Sequence, residues 1–127
     1  MKNKVSRKAG FTLVEIMIVV AIIGLLAAIA IPNFVRARTT SQMNACINNL
    51  RLIDSAKQQW ALEQRQTSTS TAAGSDLQPY LGHGSAGELP ACPADPANGW
   101  TTSYAPNVGN VSTKPQCNIV PSTHILP

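Results

Sequence analysis

The chain has 127 residues, which is enough for one small domain and an additional segment. It carries 10 basic and 6 acidic residues, but four of the cations stand in the first ten residues: Lys2, Lys4, Arg7 and Lys8. Without that leader, six cations stand against six acids. The remainder therefore has no general basic character, which argues against a protein that binds nucleic acid directly.

The basic leader, residues 1–10, ends at Gly10, and an apolar stretch follows it. The 21 residues from Phe11 to Ile31 carry one charge, Glu15. A helix of that length rises about 30 Å, the thickness of the hydrocarbon core of a bilayer. We therefore predict a single transmembrane helix over 11–31. The cations of the leader place its N-terminal flank in the cytoplasm, and the rest of the chain on the other side of the membrane.

Glu15 is the unusual residue of this helix, because a carboxylate in an apolar span costs about 2.5–3.5 kcal/mol on insertion scales. Such a residue needs a partner and is by default functional. A cleavable secretory signal is the plainer interpretation, but its apolar core is shorter, about 7–15 residues. Here an Ala-Gly pair precedes the apolar run instead. Cleavage between Gly10 and Phe11 would retain the helix and create an α-amine about one helical turn from Glu15.

The sequence GFTLVE at residues 10–15, followed by the apolar run and Pro32, resembles the N-terminus of type IV pilins and type II secretion pseudopilins. The resemblance covers residues 7 to about 38. It implies cleavage after Gly10 by a prepilin peptidase and N-methylation of Phe11 by the same enzyme. It also implies that Glu15 meets the N-terminal amine of a neighbouring subunit and so sets the register between subunits.

The helical pattern changes at Pro32, where we predict a bend, with Gly24 as a second weak point. Before Pro32 the sequence is apolar on every side, and over 32–65 it has one apolar stripe. The stripe repeats at three- and four-residue steps: Met43, Cys46, Ile47, Leu50, Ile53, Ala56 and Trp60. The stripe predicts an amphipathic helix half packed on a small head, with Trp60 in or beside the core.

Residues 66–127 are predicted to form a small, loop-rich β head. A polar loop over 67–75 precedes a helical turn over 75–81 that Ser75 can cap. Short strands are predicted at 100–104 and 117–120, with a turn or strand at 107–111. The predicted fold class is α+β and pilin-like: a long N-terminal helix packed on a small antiparallel sheet of short strands.

Three cysteines suit an oxidising compartment, where a small domain gains from a disulfide. We favour the pair Cys92–Cys117, because both lie in the loop-and-strand region whereas Cys46 lies on the helix. Closing that loop of about 25 residues would stabilise the fold by roughly 3 kcal/mol. Two alternatives stay open: all three thiols are free, or Cys46 takes one partner.

No metal or cofactor is predicted. No CxxC motif occurs, and His83 and His124 stand apart in the sequence, so that solvated surface is the expected environment of both. The pseudopilins that the chain resembles carry a calcium site in an acidic C-terminal loop. This chain has no acid after Asp95, and we do not transfer that site.

No catalytic constellation appears, and the chain is not predicted to be an enzyme. The resemblance implies a structural subunit of a type IV pilus or a type II secretion pseudopilus. Its implied partners are its own copies, other minor pilins, the prepilin peptidase, and an inner-membrane assembly platform with its ATPase. The alternatives are a competence-type pilin of DNA uptake and a membrane-anchored binding module. Direct DNA binding is disfavoured, because Lys114 is the only basic residue after Arg65.

Overall fold

The computed structural model describes residues 10–82, 88–105 and 107–127. Three helices occur there: α1 (Leu13–Glu63, 51 residues), α2 (Gly74–Leu81, 8 residues) and α3 (Trp100–Ser103, 4 residues). The chain divides into two units, one that ends at Ala37 and one that begins at Arg38. The predicted long N-terminal helix is confirmed, and its predicted end near residue 65 lies two residues beyond the observed one.

The first unit contains the apolar part of α1. Its large apolar side chains, from Leu13 to Val35, are exposed on all sides of the helix. This helix is long and apolar enough to cross a membrane. Pro32 lies within α1. The bend that we predict there and the weak point at Gly24 stay predictions.

The second unit is built on the amphipathic part of α1. The predicted stripe forms one wall of the core, since Cys46, Leu50 and Ile53 are fully buried and Trp60 packs at the core's margin. The opposite wall comes from α2 and the segments that follow it: Leu77, Leu81, Cys92, Tyr104, Val108 and Cys117. The 3.6-residue period therefore identified the core face of this helix correctly.

The predicted antiparallel sheet is not confirmed, because no strand occurs in the residues that the structure describes. One isolated antiparallel bridge joins Thr71 to Asn110. Two backbone bonds lie beside it, from the Val111 amide to the Ser70 carbonyl (3.0 Å) and from Ser112 to Ser68 (3.1 Å). The central residues of the predicted loop over 67–75 are thus hydrogen-bonded to the segment 110–112.

The strand predicted at 100–104 is wrong, since Trp100–Ser103 is the short helix α3. The Ser103 amide donates to the Gly99 carbonyl and the Tyr104 amide to the Trp100 carbonyl, both at 2.9 Å. These are the i to i−4 bonds of a helical turn. The turn also brings the rings of Trp100 and Tyr104 together, with centroids 5.6 Å apart. The strand predicted at 117–120 is also absent: residues 118–120 form bends, and Cys117 lies in irregular structure.

Helix α2 confirms the predicted helical turn and corrects its cap. The helix begins at Gly74, and Ala73 is its N-cap residue, where Ser75 was expected. The Asp76 carboxylate accepts a hydrogen bond from the Ala73 amide (2.9 Å), which satisfies one donor of the first turn. The glycine at position 74 allows the Trp100 side chain to pack closely against the start of α2. A β-carbon at this position would lie only 2.7 Å from Trp100 Nε1.

Lys57 links α1 to the C-terminal loops through backbone carbonyls. Its ammonium donates to the carbonyls of Val108 (3.0 Å), Asn110 (3.1 Å) and Thr113 (2.5 Å). The side chain is 0% exposed. Burial lowers the pKa of Lys57, and the Asp54 carboxylate, 3.6 Å away, partly opposes that shift. A buried lysine therefore holds the loop over 108–113 from the side of α1, in addition to the single bridge between Thr71 and Asn110.

Candidate functional site

The N-terminus of α1 is closed by a reciprocal cap between Thr12 and Glu15. The Thr12 amide and hydroxyl both donate to Glu15 Oε2, at 2.9 and 2.7 Å. The Glu15 amide donates in return to Thr12 Oγ1 at 3.2 Å. This is a capping box, with Thr12 at the N-cap position and Glu15 at the third helical position.

The capping box gives Glu15 a partner inside its own chain, which the sequence analysis did not find. The signal was present, because Thr12-Leu-Val-Glu15 has the T-x-x-E spacing of a capping box before an apolar run. A carboxylate at the start of a helix also interacts favourably with the positive end of the helix dipole. Glu15 therefore fits the helix terminus even before any neighbouring subunit is considered.

The other residues of the predicted processing site lie next to this cap. Gly10 is the first residue that the structure describes, and Phe11 has 85% of its surface exposed. Gly24, the predicted weak point of the helix, lies farther along α1, and a β-carbon there would meet no atom within 4 Å. Cleavage at Gly10–Phe11, methylation of Phe11 and registration by Glu15 stay predictions.

A second candidate site lies in the core of the second unit, where four side chains converge. The ligand atoms of Cys46, Cys92, Cys117 and His124 all lie within 4.8 Å of one another, and all four residues are buried. Cys92 Sγ and His124 Nδ1 are 3.6 Å apart. The structure brings the predicted pair Cys92 and Cys117 together, but it also adds Cys46 and His124 to them.

The thiols of this cluster are free in the structure. The Cys92–Cys117 disulfide is therefore not shown and stays a prediction. Burial raises the pKa values of Cys46 and Cys92, because a thiolate loses its hydration in the core. Burial also lowers the pKa of His124, which favours the neutral imidazole.

The predicted solvated surface position of His124 is wrong, since the residue is only 5% exposed. Its amide donates to the Val120 carbonyl (3.0 Å), a helix-like turn that directs the chain end back toward the core. The sequence does not predict this buried position, because His124 is far from Cys46 and Cys92 along the chain. His83, the other histidine for which we predict a surface position, lies outside the described residues.

Comparison with known proteins finds one family model, described as "Prokaryotic N-terminal methylation motif", that matches residues 5–31. A "Type IV major pilin protein PilA" of Myxococcus xanthus is 48% identical over 58 residues, 46% of this chain and 26% of the relative. The chain carries a prepilin-type N-terminal segment. A "Fimbrial protein" of Pseudomonas aeruginosa is 40% identical over 73 residues, 58% of this chain and 47% of the relative.

The chain is also similar to a protein of the type II secretion system. A "Type II secretion system core protein G" of Aeromonas hydrophila is 27% identical over 64 residues, 50% of this chain and 45% of the relative. Across these three relatives, the matched regions span about a quarter to a half of their lengths. No solved structure is significantly similar to the chain. The resemblance to pilins and pseudopilins is thereby confirmed.

Proposed function

We propose that the chain is a structural subunit of a type IV pilus or a type II secretion pseudopilus. One observation carries the proposal: an apolar helix, exposed on all sides, begins at a capping box whose acid is Glu15. The first part of that helix lies within residues 5–31, which match the methylation-motif family model, and the chain is similar to a major pilin and to a secretion core protein. The names of these relatives support the interpretation that the chain is a structural subunit of a filament and that it has no catalytic activity.

The proposed sequence of events begins in the inner membrane. The leader, residues 1–10, stays in the cytoplasm, and the second unit lies on the opposite side of the membrane. A prepilin peptidase cleaves after Gly10 and methylates the new amine of Phe11. An assembly platform and its ATPase then move the processed subunit from the lipid into a filament of its own copies and minor pilins.

The physical reason for assembly is the exposed apolar surface of α1. An apolar helix that leaves lipid must be buried against other apolar helices, since water would not solvate it. Small residues, among them Gly24, Ala27 and Ala28, allow helices to approach closely. A head-to-tail contact that does not close on itself then extends into a filament.

Glu15 can cap its own helix and pair with an incoming amine at the same time. A carboxylate has two oxygens with about four acceptor sites, and the Thr12 donors both use Oε2. The amine of a neighbouring Phe11 would therefore add a charge-assisted bond without displacing the cap. Glu15 would then have two roles: it caps its own helix, and it pairs with the amine of a neighbouring chain.

The experiment that tests the proposal compares Glu15→Gln with Thr12→Ala in cells that express the assembly machinery. Glutamine also serves at the third position of a capping box, so Glu15→Gln keeps the cap and removes the charge. We expect normal insertion and processing of Glu15→Gln but few or no filaments by electron microscopy. Thr12→Ala loses the cap but keeps the charge, and we expect it to assemble.

Processing is followed in the same samples by the mass of the N-terminal peptide. A peptide that begins at N-methylated Phe11 is expected for the wild type and for both variants. Abundant normal filaments from Glu15→Gln would refute the registration role. A peptide that begins at Met1 or beyond Ala30 would refute the filament subunit itself.

A further inference from the structure

We propose that Cys46, Cys92, Cys117 and His124 form a tetrahedral binding site for a zinc ion. The four ligand atoms lie within 4.8 Å of one another inside the second unit. Three thiolates and one imidazole are a donor set typical of structural zinc sites. The site is independent of the filament role proposed above, because all four residues belong to the second unit, whereas the exposed apolar surface that carries the role belongs to the first.

The spacing of the donors fits a tetrahedron around zinc. With Zn–S bonds of about 2.3 Å and a Zn–N bond of about 2.0–2.1 Å, neighbouring sulfurs lie about 3.8 Å apart and a sulfur–nitrogen pair about 3.6 Å. Cys92 Sγ and His124 Nδ1 are separated by 3.6 Å. All separations in the cluster are within 4.8 Å, so that binding needs only a small contraction around the ion.

The four ligands come from separate parts of the chain. Cys46 lies on α1, Cys92 lies between α2 and α3, and Cys117 and His124 follow α3. A zinc ion would thus join the C-terminal segments to the long helix and to one another. A small domain whose described residues contain a single bridge and no strand gains most from such a link, because its apolar core is limited.

The residues around the cluster orient the ligands, as is usual for metal sites. The Tyr104 hydroxyl lies 3.4 Å from Cys46 Sγ and accepts a hydrogen bond from Asn49 Nδ2 at 3.2 Å, so its own proton can point to the sulfur. The Cys92 amide donates to Ser103 Oγ (2.9 Å), and that hydroxyl donates to the Asp95 carboxylate (2.8 Å). Both cysteines are therefore held in place from outside the cluster.

His124 is the ligand of the cluster that borders a surface cleft, from which an ion would enter. A surface cleft of about 350 Å³ is lined by His124 together with Gln42, Met43, Val120 and Thr123. Binding forms three Zn–S bonds and one Zn–N bond and releases three thiol protons to water, with no oxidation or reduction. The thiolates leave one net negative charge, and the Tyr104 hydroxyl can donate to one of them.

Zinc explains the composition of the cluster better than the disulfide does. A disulfide between any two of the three thiols leaves the third thiol and the histidine without a role. Zinc employs all four groups. Thiolate sulfur with imidazole nitrogen favours zinc over calcium or magnesium, which take oxygen ligands.

The test uses the untagged full chain purified in detergent. We expect elemental analysis to find one zinc per chain after dialysis. Exchange for Co²⁺ should give the visible absorption of tetrahedral, thiolate-bound cobalt. With chelator and denaturant present, all three thiols should react with an alkylating agent. An absence of bound zinc and cobalt, or an intact chain that is two hydrogens lighter and alkylates once, would overturn the proposal in favour of a disulfide.

Two histidine variants make the assignment specific. His124→Ala should lose the cobalt spectrum or shift it toward a site with one fewer protein ligand. His83→Ala makes the same change at the chain's other histidine and should keep the spectrum and the zinc. Identical metal content and spectra for both variants would overturn the assignment of His124. Neither readout depends on filaments, so failure here is distinct from failure of the proposed assembly.

Discussion

At the scale of single residues, Lys57 shows how this molecule replaces backbone pairing with side-chain bonds. Its ammonium is fully buried and donates to three carbonyls of the loop over 108–113. Burying a cation is costly unless it is paired and hydrogen-bonded, and here the carbonyls and Asp54 share that task. The lysine therefore holds the loop in place, and the carbonyls of the loop compensate the burial of the lysine's charge.

Replacing Lys57 with Met should destabilise the second unit. Methionine keeps the apolar stem but removes the donor to the carbonyls of Val108 and Thr113, whereas the Asn110 carbonyl keeps its bonds from Thr113. Unsatisfied buried groups cost about 1–3 kcal/mol. Chemical denaturation followed by tryptophan fluorescence measures the loss. Lys114→Met is the matched control, because Lys114 is exposed; we expect a change within about 0.5 kcal/mol. Equal effects of the two substitutions would contradict the role of Lys57.

The residues also show where sequence reasoning succeeds and where it stops. Leu50 and Ile53 were identified as core because their spacing follows the helical period. Lys57 continues the same face, four residues after Ile53, but its charge conceals its burial. His124 was missed because its environment depends on contacts with residues more than 30 positions away. Local patterns contain no information about such contacts.

At the scale of elements, a polar contact between Tyr80 and Glu63 links α2 to the end of α1. The Tyr80 hydroxyl donates to Glu63 Oε2 at 2.7 Å. This bond raises the pKa of Tyr80, because the carboxylate stabilises the protonated phenol and repels the phenolate. The contribution of the contact to stability is complete below the ordinary tyrosine pKa of about 10. It is lost as the pH rises through the raised pKa of the folded protein.

Glu63→Gln should return the titration of Tyr80 toward its ordinary range. Glutamine can still accept the bond, but it carries no negative charge. An ultraviolet titration of tyrosinate should show one phenol ionising at lower pH than in the wild type, and Tyr80→Phe would remove that component. Glu88→Gln changes an exposed carboxylate in the same way and should leave the curve unaltered. Superimposable curves for wild type and Glu63→Gln would refute the contact.

The elements of the head were less predictable than the long helix. Trp100 and its threonine neighbours favour a strand by residue type, yet that preference depends on neighbouring strands and burial. Here Trp100 instead packs beside Gly74 and Tyr104, and a single helical turn provides that geometry. In α1, by contrast, an apolar composition before Pro32 and a helical period after it both specify a helix.

At the scale of the whole molecule, one chain contains segments suited to two solvents. The part of α1 before Pro32 is apolar on every side, as lipid or a bundle of like helices requires, and the part after it buries one face. Charge divides the chain at a different point, after Gly10. The four cations of the leader have no acidic neighbours there, whereas the rest of the chain has equal numbers of both signs.

Processing should therefore be visible as a change in isoelectric point. The full chain has a sequence pI of about 9.3. Cleavage after Gly10 removes four cations and no acid, so the mature chain should focus near neutrality while it still partitions into detergent. Methylation of Phe11 does not alter this result, because the methylated amine keeps its charge. Isoelectric focusing with and without a co-expressed prepilin peptidase measures the shift.

Cleavage of the type made on secretory signals gives a different result in the same measurement. A cut beyond Ala30 would also remove Glu15, which leaves more cations than acids, and it would remove the apolar helix. The product would then focus on the basic side and leave the detergent phase. Gly10→Val alters the residue before the scissile bond and is expected to keep the precursor's isoelectric point in the presence of the peptidase. A basic, detergent-free product from the wild type would contradict a helix retained for assembly.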